Sequence, residues 1–413
     1  MQERDIVIAG GGMVGVSLAL QLAASLPAAA RITLVEGFAL PASDAEPQYH
    51  PSFDARSTAL SFSSRDIYRR MGVWRALEQW ACPIDSIHVS HRGHFGSTLM
   101  RAADYDWPAL GYVVENPWLG KALLGALRRQ GRVEVLSPAR VTGVVPAAAG
   151  AELEVEGAAD PHWRAGLLVV ADGAGSTLRD SLGVTVREKV YGQSALIANV
   201  SFARPHDGRA YERFTASGPL ALLPLLPSRP GECRSALVWT LPPERAAALA
   251  GCAQEEFLEA LQAGFGYRLG RFLQTGERHC YPLVLRESCE QLRRGVVVMG
   301  NAAHTLHPVA GQGFNLALRD VARLVATLAD AGSAGYGDLA VLQRYHRAQR
   351  QDQRRTIGAS DRLPELFMRR DPLLGLARDL ALSGLDVASP LKREFVRHAA
   401  GVAALGEVGD YRA

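Results

Sequence analysis

A glycine-rich turn set between an apolar strand and a helix constrains this chain more than any other feature. Residues Asp5-Ile6-Val7-Ile8-Ala9 are apolar enough for a buried parallel strand, and Gly10-Gly11-Gly12-Met13-Val14-Gly15 follows at once. Gly10, Gly12 and Gly15 have the G-x-G-x-x-G spacing. The first glycine permits a tight turn, the second lets a pyrophosphate reach the backbone, and the third lets the next helix lie close to the strand. That helix, expected over 13–26, points free N–H groups and the positive end of its dipole at an anion. The dipole itself contributes about 0.3–1 kcal/mol. The next strand, over 31–35, ends in Glu36, a carboxylate about 20 residues past the glycines that suits the hydroxyls of an adenosine ribose and repels a 2′-phosphate.

Two later segments have related architecture. Val169-Val170-Ala171-Asp172-Gly173-Ala174-Gly175 brings an Asp-Gly pair to the end of an apolar strand, where ligands collect in open α/β sheets. A lone Asp-Gly is also a common Asx turn. Gly300-Asn301-Ala302-Ala303-His304-Thr305-Leu306-His307-Pro308 follows a strand at 295–299 and runs into Gly311-Gln312-Gly313-Phe314-Asn315 at the start of a helix. Its backbone N–H groups suit an anionic ring or a phosphate.

The 413 residues exceed one typical domain of about 100–200 residues. Alternating strand and helix patterns predict an α/β protein: a discontinuous Rossmann-like nucleotide-binding domain (1–82, 105–182 and 293–361), an inserted mixed-sheet substrate domain (183–292, with a hairpin at 83–104), and a helical C-terminal region (362–413). Within these, 84–90, 193–203, 218–226, 233–241 and 277–285 read as strands, and 254–265 as a helix. A net charge of +3 gives no basis for nucleic-acid binding. The five cysteines form no C-x-x-C pair, which fits a reducing cytoplasm and offers no zinc site. The first strand begins too near Met1 for a signal peptide, and no apolar run approaches the ~20 residues of a membrane span. The expected location is cytoplasmic, with at most a peripheral contact at the inner membrane surface.

In order and spacing the three segments resemble the FAD-dependent aromatic hydroxylases with the para-hydroxybenzoate hydroxylase fold, over about residues 5–360. The resemblance implies that Gly10, Gly12 and Gly15 hold the FAD pyrophosphate and Glu36 its ribose. It implies that Asp172 and Gly173 serve FAD and NAD(P)H, and that Asn301, Pro308, Gly311, Gly313 and Asn315 contact ribitol and flavin. Arg56, in Asp54-Ala55-Arg56-Ser57-Thr58, resembles the family arginine beside the flavin. Asn116 stands where many members have an arginine, and an amide is the weaker anchor. The family usually has Gly-Asp where this chain has Gly300-Asn301. That departure, with the run through Gly311-Gln312-Gly313 and the segments 191–200 and 218–225, resembles the ubiquinone-biosynthesis hydroxylases, in the branch that acts on a 2-polyprenyl-6-methoxyphenol.

The resemblance implies that NAD(P)H reduces FAD and that O2 then supplies one oxygen to an electron-rich phenolic ring. No second dinucleotide fold is visible, so the nicotinamide donor is expected to bind transiently. No residue declares itself as a base: His304 and His307 read as packed or hydrogen-bonded, and Tyr191 and Tyr281 as core. The apolar run 219–227 suits either a tunnel for a prenylated ring or plain sheet core. Leucines and arginines over 362–382 suit anionic lipid, an oligomer contact or the protein's own surface. Arg344, Arg347, Arg350 and Arg354 read as a solvated helix face. A sister hydroxylase acting at another ring position fits the same residues, as do a flavin-dependent isoprenoid reductase and a non-catalytic subunit of a ubiquinone-biosynthesis complex.

Overall fold

In a computed structural model of the chain, the apolar strand Gln2–Ala9 lies at the centre of a parallel sheet. The structure describes residues 1–41, 56–94, 97–307, 311–331, 335–368, 393, 396–397 and 400–401, with side chains up to 362 in the last long helix. Gln2–Ala9 pairs in parallel with His162–Val170 on one side and Ile32–Val35 on the other. Val133–Leu136 and Val296–Val298 continue the parallel pairing on the two sides, and Leu292–Arg293 pairs antiparallel beyond the latter. Its strands are near-continuous apolar runs because helices cover them: Ile6, Ile8 and Leu34 are fully buried with Val16, Leu18 and Leu22 of the helix Met13–Ser25. An antiparallel extension, Gly150–Glu156 and Arg140–Ala147, continues from His162–Val170.

A second sheet is mixed. Its backbone order is His304–Thr305, His279–Ser288, Val186–Phe202, Cys233–Leu241, Gly218–Leu225, Arg209–Thr215, Ser86–His91 and Ser97–Arg101. Leu220, Leu222, Leu237 and Trp239 pack one face of it against Phe257 and Leu261 of the helix Gln254–Phe265. A small third sheet pairs Gly111–Glu115 with Ser57–Ser61 and with Cys82–Ile84, both antiparallel.

The single strand expected over 84–90 is divided. Cys82–Ile84 joins the small sheet and Ser86–His91 the large one, because Asp85 turns its backbone to other partners: its N–H donates to Gly208 O and its carbonyl accepts from Ala102 N–H, at 2.8 and 2.9 Å. The strand expected over 193–203 is longer, running Val186–Phe202. Helices Gln312–Ala331 and Leu339–Met368 close the described fold, with Arg344, Arg347, Arg350 and Arg354 exposed along the second. Between them Arg319 and Arg323 converge on Asp352, at 2.7 and 2.8 Å. No described helix is long and apolar enough to cross a membrane. Most of 362–382 lies outside the described residues.

Candidate active site

The glycine turn is shaped by its neighbours. Gly10 has φ +113°, its N–H donates to Val35 O at 2.8 Å, and a Cβ there would collide with the Ala171 carbonyl. A Cβ on Gly15 would strike the carbonyl of Gly10, so the helix Met13–Ser25 rests on the turn itself. The helix starts at Gly12, which offers no capping side chain, and its first turn holds no acid. Its leading N–H groups are therefore left for an anion, and Gly12, Met13 and Val14 border a cavity of about 1040 Å³. Glu36 sits beside the turn, 5 % exposed. Its Oε2 accepts from Gly11 N–H at 2.5 Å and its Oε1 from Phe38 N–H at 3.0 Å. The carboxylate is thus fixed in place, with lone pairs to spare for hydroxyl donors.

Asp172 lies just past the strand His162–Val170. Burial pushes its carboxyl above the ordinary range, against the opposing hydrogen bond with Ser176. Nearby, Arg179 donates to the carbonyls of Ala174 and Ala302, both at 3.2 Å, and so ties the Asp-Gly segment to the third one. Asn301 is exposed in the short turn Gly300–Ala302, where its carbonyl accepts from the Thr305 hydroxyl at 3.3 Å. Asn315 is 1 % exposed, and its amide is fully engaged. Its Oδ1 accepts from Ser61 N–H and Ser64 Oγ–H, and its Nδ2 donates to the carbonyls of Ala59 and Gly311, all within 2.7–2.8 Å. It clamps the helix Gln312–Ala331 to the strand Ser57–Ser61. Asn116 is also buried, its Oδ1 accepting from Thr58 Oγ1–H at 2.6 Å. The Arg56 guanidinium lies 5.2 Å over the Tyr281 ring.

Of the described residues expected at the cofactor, all but Gly15 border this one cavity. Gly15 stands behind the turn, and Pro308 is outside the described residues. The uncapped helix start, the anchored acid and the close glycines fit a dinucleotide, and Arg56 and Gly311 border the same cavity.

Beyond that point the cavity wall is one face of the large sheet. A row of paired residues crosses six strands: Thr98, Val89, Glu212, Ala221, Val238 and Ile197. The next row holds Met100, Ile87, Ala210, Leu223 and Ala236. Within the run 219–227, Ala221 and Leu223 lie on the cavity and Leu220 and Leu222 in the core.

Among these rows Glu212 is the one ionisable side chain. Its Oε1 is shielded from solvent and has no hydrogen-bond partner among the described residues, and burial pushes its carboxyl up to about 7. In sequence its strand, Arg209–Thr215, is masked by the charges of Arg209, Glu212 and Arg213. The signal was a period of two, with Ala210, Glu212 and Phe214 on one face and Arg209, Tyr211 and Arg213 on the other.

The histidines divide. His304 Nε2 meets Asp320 Oδ2 at 3.1 Å, both side chains being 1 % exposed, and Gln353 donates to the same oxygen at 2.9 Å. His307 borders the cavity, its ring edge-on to Tyr191 at 5.1 Å. Burial lowers its pKa to about 4, against the opposing pull of Asp361, so it is neutral at neutral pH. Tyr191 donates to Asp361 at 2.8 Å, and Lys189 pairs with the same oxygen at 2.6 Å.

Residues 3–360 match the family described as "FAD binding domain". The chain is 34 % identical over 404 residues to the ubiquinone hydroxylase UbiL of Rhodospirillum rubrum, covering 97 % of this chain and 90 % of that one. It is 32 % identical to the 3-demethoxyubiquinol 3-hydroxylase of Escherichia coli, covering 97 % and 99 %. The crystal structure of p-nitrophenol 4-monooxygenase PnpA from Pseudomonas putida DLL-E4 superimposes with a TM-score of 0.77 at 18 % identity, over 97 % of this chain and 99 % of that one. This last likeness is one of fold.

Proposed function

Because the chain belongs to the FAD-dependent aromatic monooxygenases, in the branch that holds the ubiquinone hydroxylases, we propose that it hydroxylates the ring of a 2-polyprenyl-6-methoxyphenol in ubiquinone biosynthesis, using O2 and NAD(P)H. The observation that carries the reading is the continuity of one cavity from an anion-binding helix start to an apolar sheet face. FAD bound along the first part supplies the activation of O2. The turn at Gly10–Gly15 and the uncapped helix take its pyrophosphate, Glu36 takes its ribose, and Arg56, Asp172, Asn301 and Gly311 surround the remainder. Asn315 and Asn116 act by holding the walls in place. The apolar rows accept the prenylated ring and exclude water, which strengthens every polar contact made to the ring. A substrate whose tail partitions into lipid also favours a contact with the membrane surface and with neighbouring enzymes of the pathway.

The test is profiling of quinone intermediates by mass spectrometry in cells lacking the protein, with and without a restored copy. A prenyl-methoxyphenol that accumulates and is cleared by the native copy supports both the pathway and the ring position. Accumulation of a later methylated quinol moves the assignment to a sister hydroxylase. An unchanged profile removes the protein from the pathway. With purified holoprotein, NADH and NADPH oxidation stimulated by a short-tailed prenylated phenol identifies the electron donor.

A further inference from the structure

We propose that Glu212 receives the hydroxyl of the aromatic substrate and takes its proton as the ring becomes nucleophilic. This rests on the hydroxylase reading above. Glu212 pairs with Val89 on one side and Ala221 on the other, so its side chain rises from a wall whose two rows are apolar but for Thr98 at the edge. Its Oε1 is solvent-shielded and has no hydrogen-bond partner among the described residues. A buried polar atom left in this state is costly to keep unless a ligand completes it. The basic residues of the same strand do not complete it: Arg209 and Arg213 are offset by odd numbers of residues and lie on the opposite face, acting on His88 there. A prenylated phenol is chemically matched to this wall, with a long apolar part for Ile87, Met100 and Leu223 and a hydroxyl donor for the one carboxylate.

In the step itself the phenol O–H bond breaks and a new O–H bond forms at Glu212 Oε1. The electron pair stays on the substrate oxygen and is delocalised into the ring, and no atom changes oxidation state. After the ring has gained one oxygen of O2 and its C–H proton has passed to the other, which leaves as water, the proton returns from Glu212 to the substrate oxygen. A carboxyl pushed up to about 7 by burial is nearer in affinity to a phenol, about 10, than an ordinary carboxylate is.

The experiment uses FAD-loaded protein with 2-geranyl-6-methoxyphenol and its methyl ether, which lacks the donor. Binding is read from the perturbation of the flavin absorbance, and turnover from NAD(P)H oxidation and product. The native protein is expected to bind the phenol about tenfold or more tightly than the ether. Glu212→Leu is expected to lose that preference while keeping its FAD. Glu212→Gln is expected to keep binding and lose turnover at least tenfold. A native protein that turns over the phenol yet binds both compounds equally overturns the assignment, and so does full turnover by Glu212→Gln. The native comparison decides even where a variant fails to fold. A native protein that neither binds nor turns over the phenol refutes the hydroxylase reading instead.

Discussion

The N–H of Gly11 donates to Oε2 of Glu36 across 2.5 Å, so the glycine turn and the acid at the end of the next strand form one unit. The contact explains why the acid can work as an anchor. A flexible glutamate would lose rotamer freedom on meeting a ribose, whereas this one is already fixed by Gly11 and Phe38.

Glu36→Gln is therefore expected to weaken FAD binding about 10- to 100-fold, the effect of replacing charge-assisted hydrogen bonds of about 1.5–3 kcal/mol by neutral ones. Titration of FAD into apoprotein measures it. Unchanged affinity removes Glu36 from the cofactor site.

Gly10→Ala puts a side chain where φ is +113° and where the Ala171 carbonyl already stands. We expect a loss of about 1–3 kcal/mol of stability from the backbone conformation and further loss from the collision. Denaturant unfolding in excess FAD and the flavin content after purification check this. Gly173→Ala is the control: its φ is also positive, at +98°, but nothing stands within 4 Å of an added Cβ, so the same strain arises without the collision.

The difference between these two glycines was only partly legible beforehand. The spacing of Gly10, Gly12 and Gly15, the acid at Glu36 and the Asp172-Gly173 pair are local in sequence, and local patterns state which element follows which. The cavity wall is non-local. Thr98, Glu212 and Ile197 come together only through the pairing of six strands, and no window of sequence holds that register. Arg209–Thr215 carries three charged residues, which hid its alternation. Ser57–Ser61 is too polar to announce a strand and is held by Gly111–Glu115 and by Asn315 from 250 residues away. Asn315, expected at the cofactor, borders the cavity and also bonds Ser61, Ser64, Ala59 and Gly311 through its amide.

Asp352 joins the last two long helices by accepting from two buried arginines. Burial alone would raise its pKa, but Arg319 and Arg323 outweigh that and hold it down to about 2. Asp352→Ala leaves both guanidiniums without this partner, a change of about 3–5 kcal/mol. A fall in Tm with FAD affinity retained is the expected result. A Tm within one or two degrees of the native protein would refute it.

His307 sets an acid limit on stability. Its folded pKa, about 4, lies below the ordinary histidine value of 6.5. Above pH 6.5 neither folded nor unfolded chain binds the proton, and the native state has its full stability. As pH falls from 6.5 to 4 the unfolded chain takes up a proton that the folded one refuses, so stability declines by about 1.4 kcal/mol per pH unit, on the order of 3 kcal/mol in all. Glu212 acts in the opposite sense: its raised pKa makes the folded state gain stability as pH falls from 7 to about 4.5. The two contributions oppose each other in the native protein, so the difference between variants is the informative quantity. Urea unfolding at pH 7.5 and pH 5, at one FAD concentration, should show His307→Gln less destabilised by acid than the native chain by about 2 kcal/mol. Equal losses in the two proteins would mean that His307 is protonated in the folded state and hydrogen-bonded as a cation, contrary to its buried position beside Tyr191.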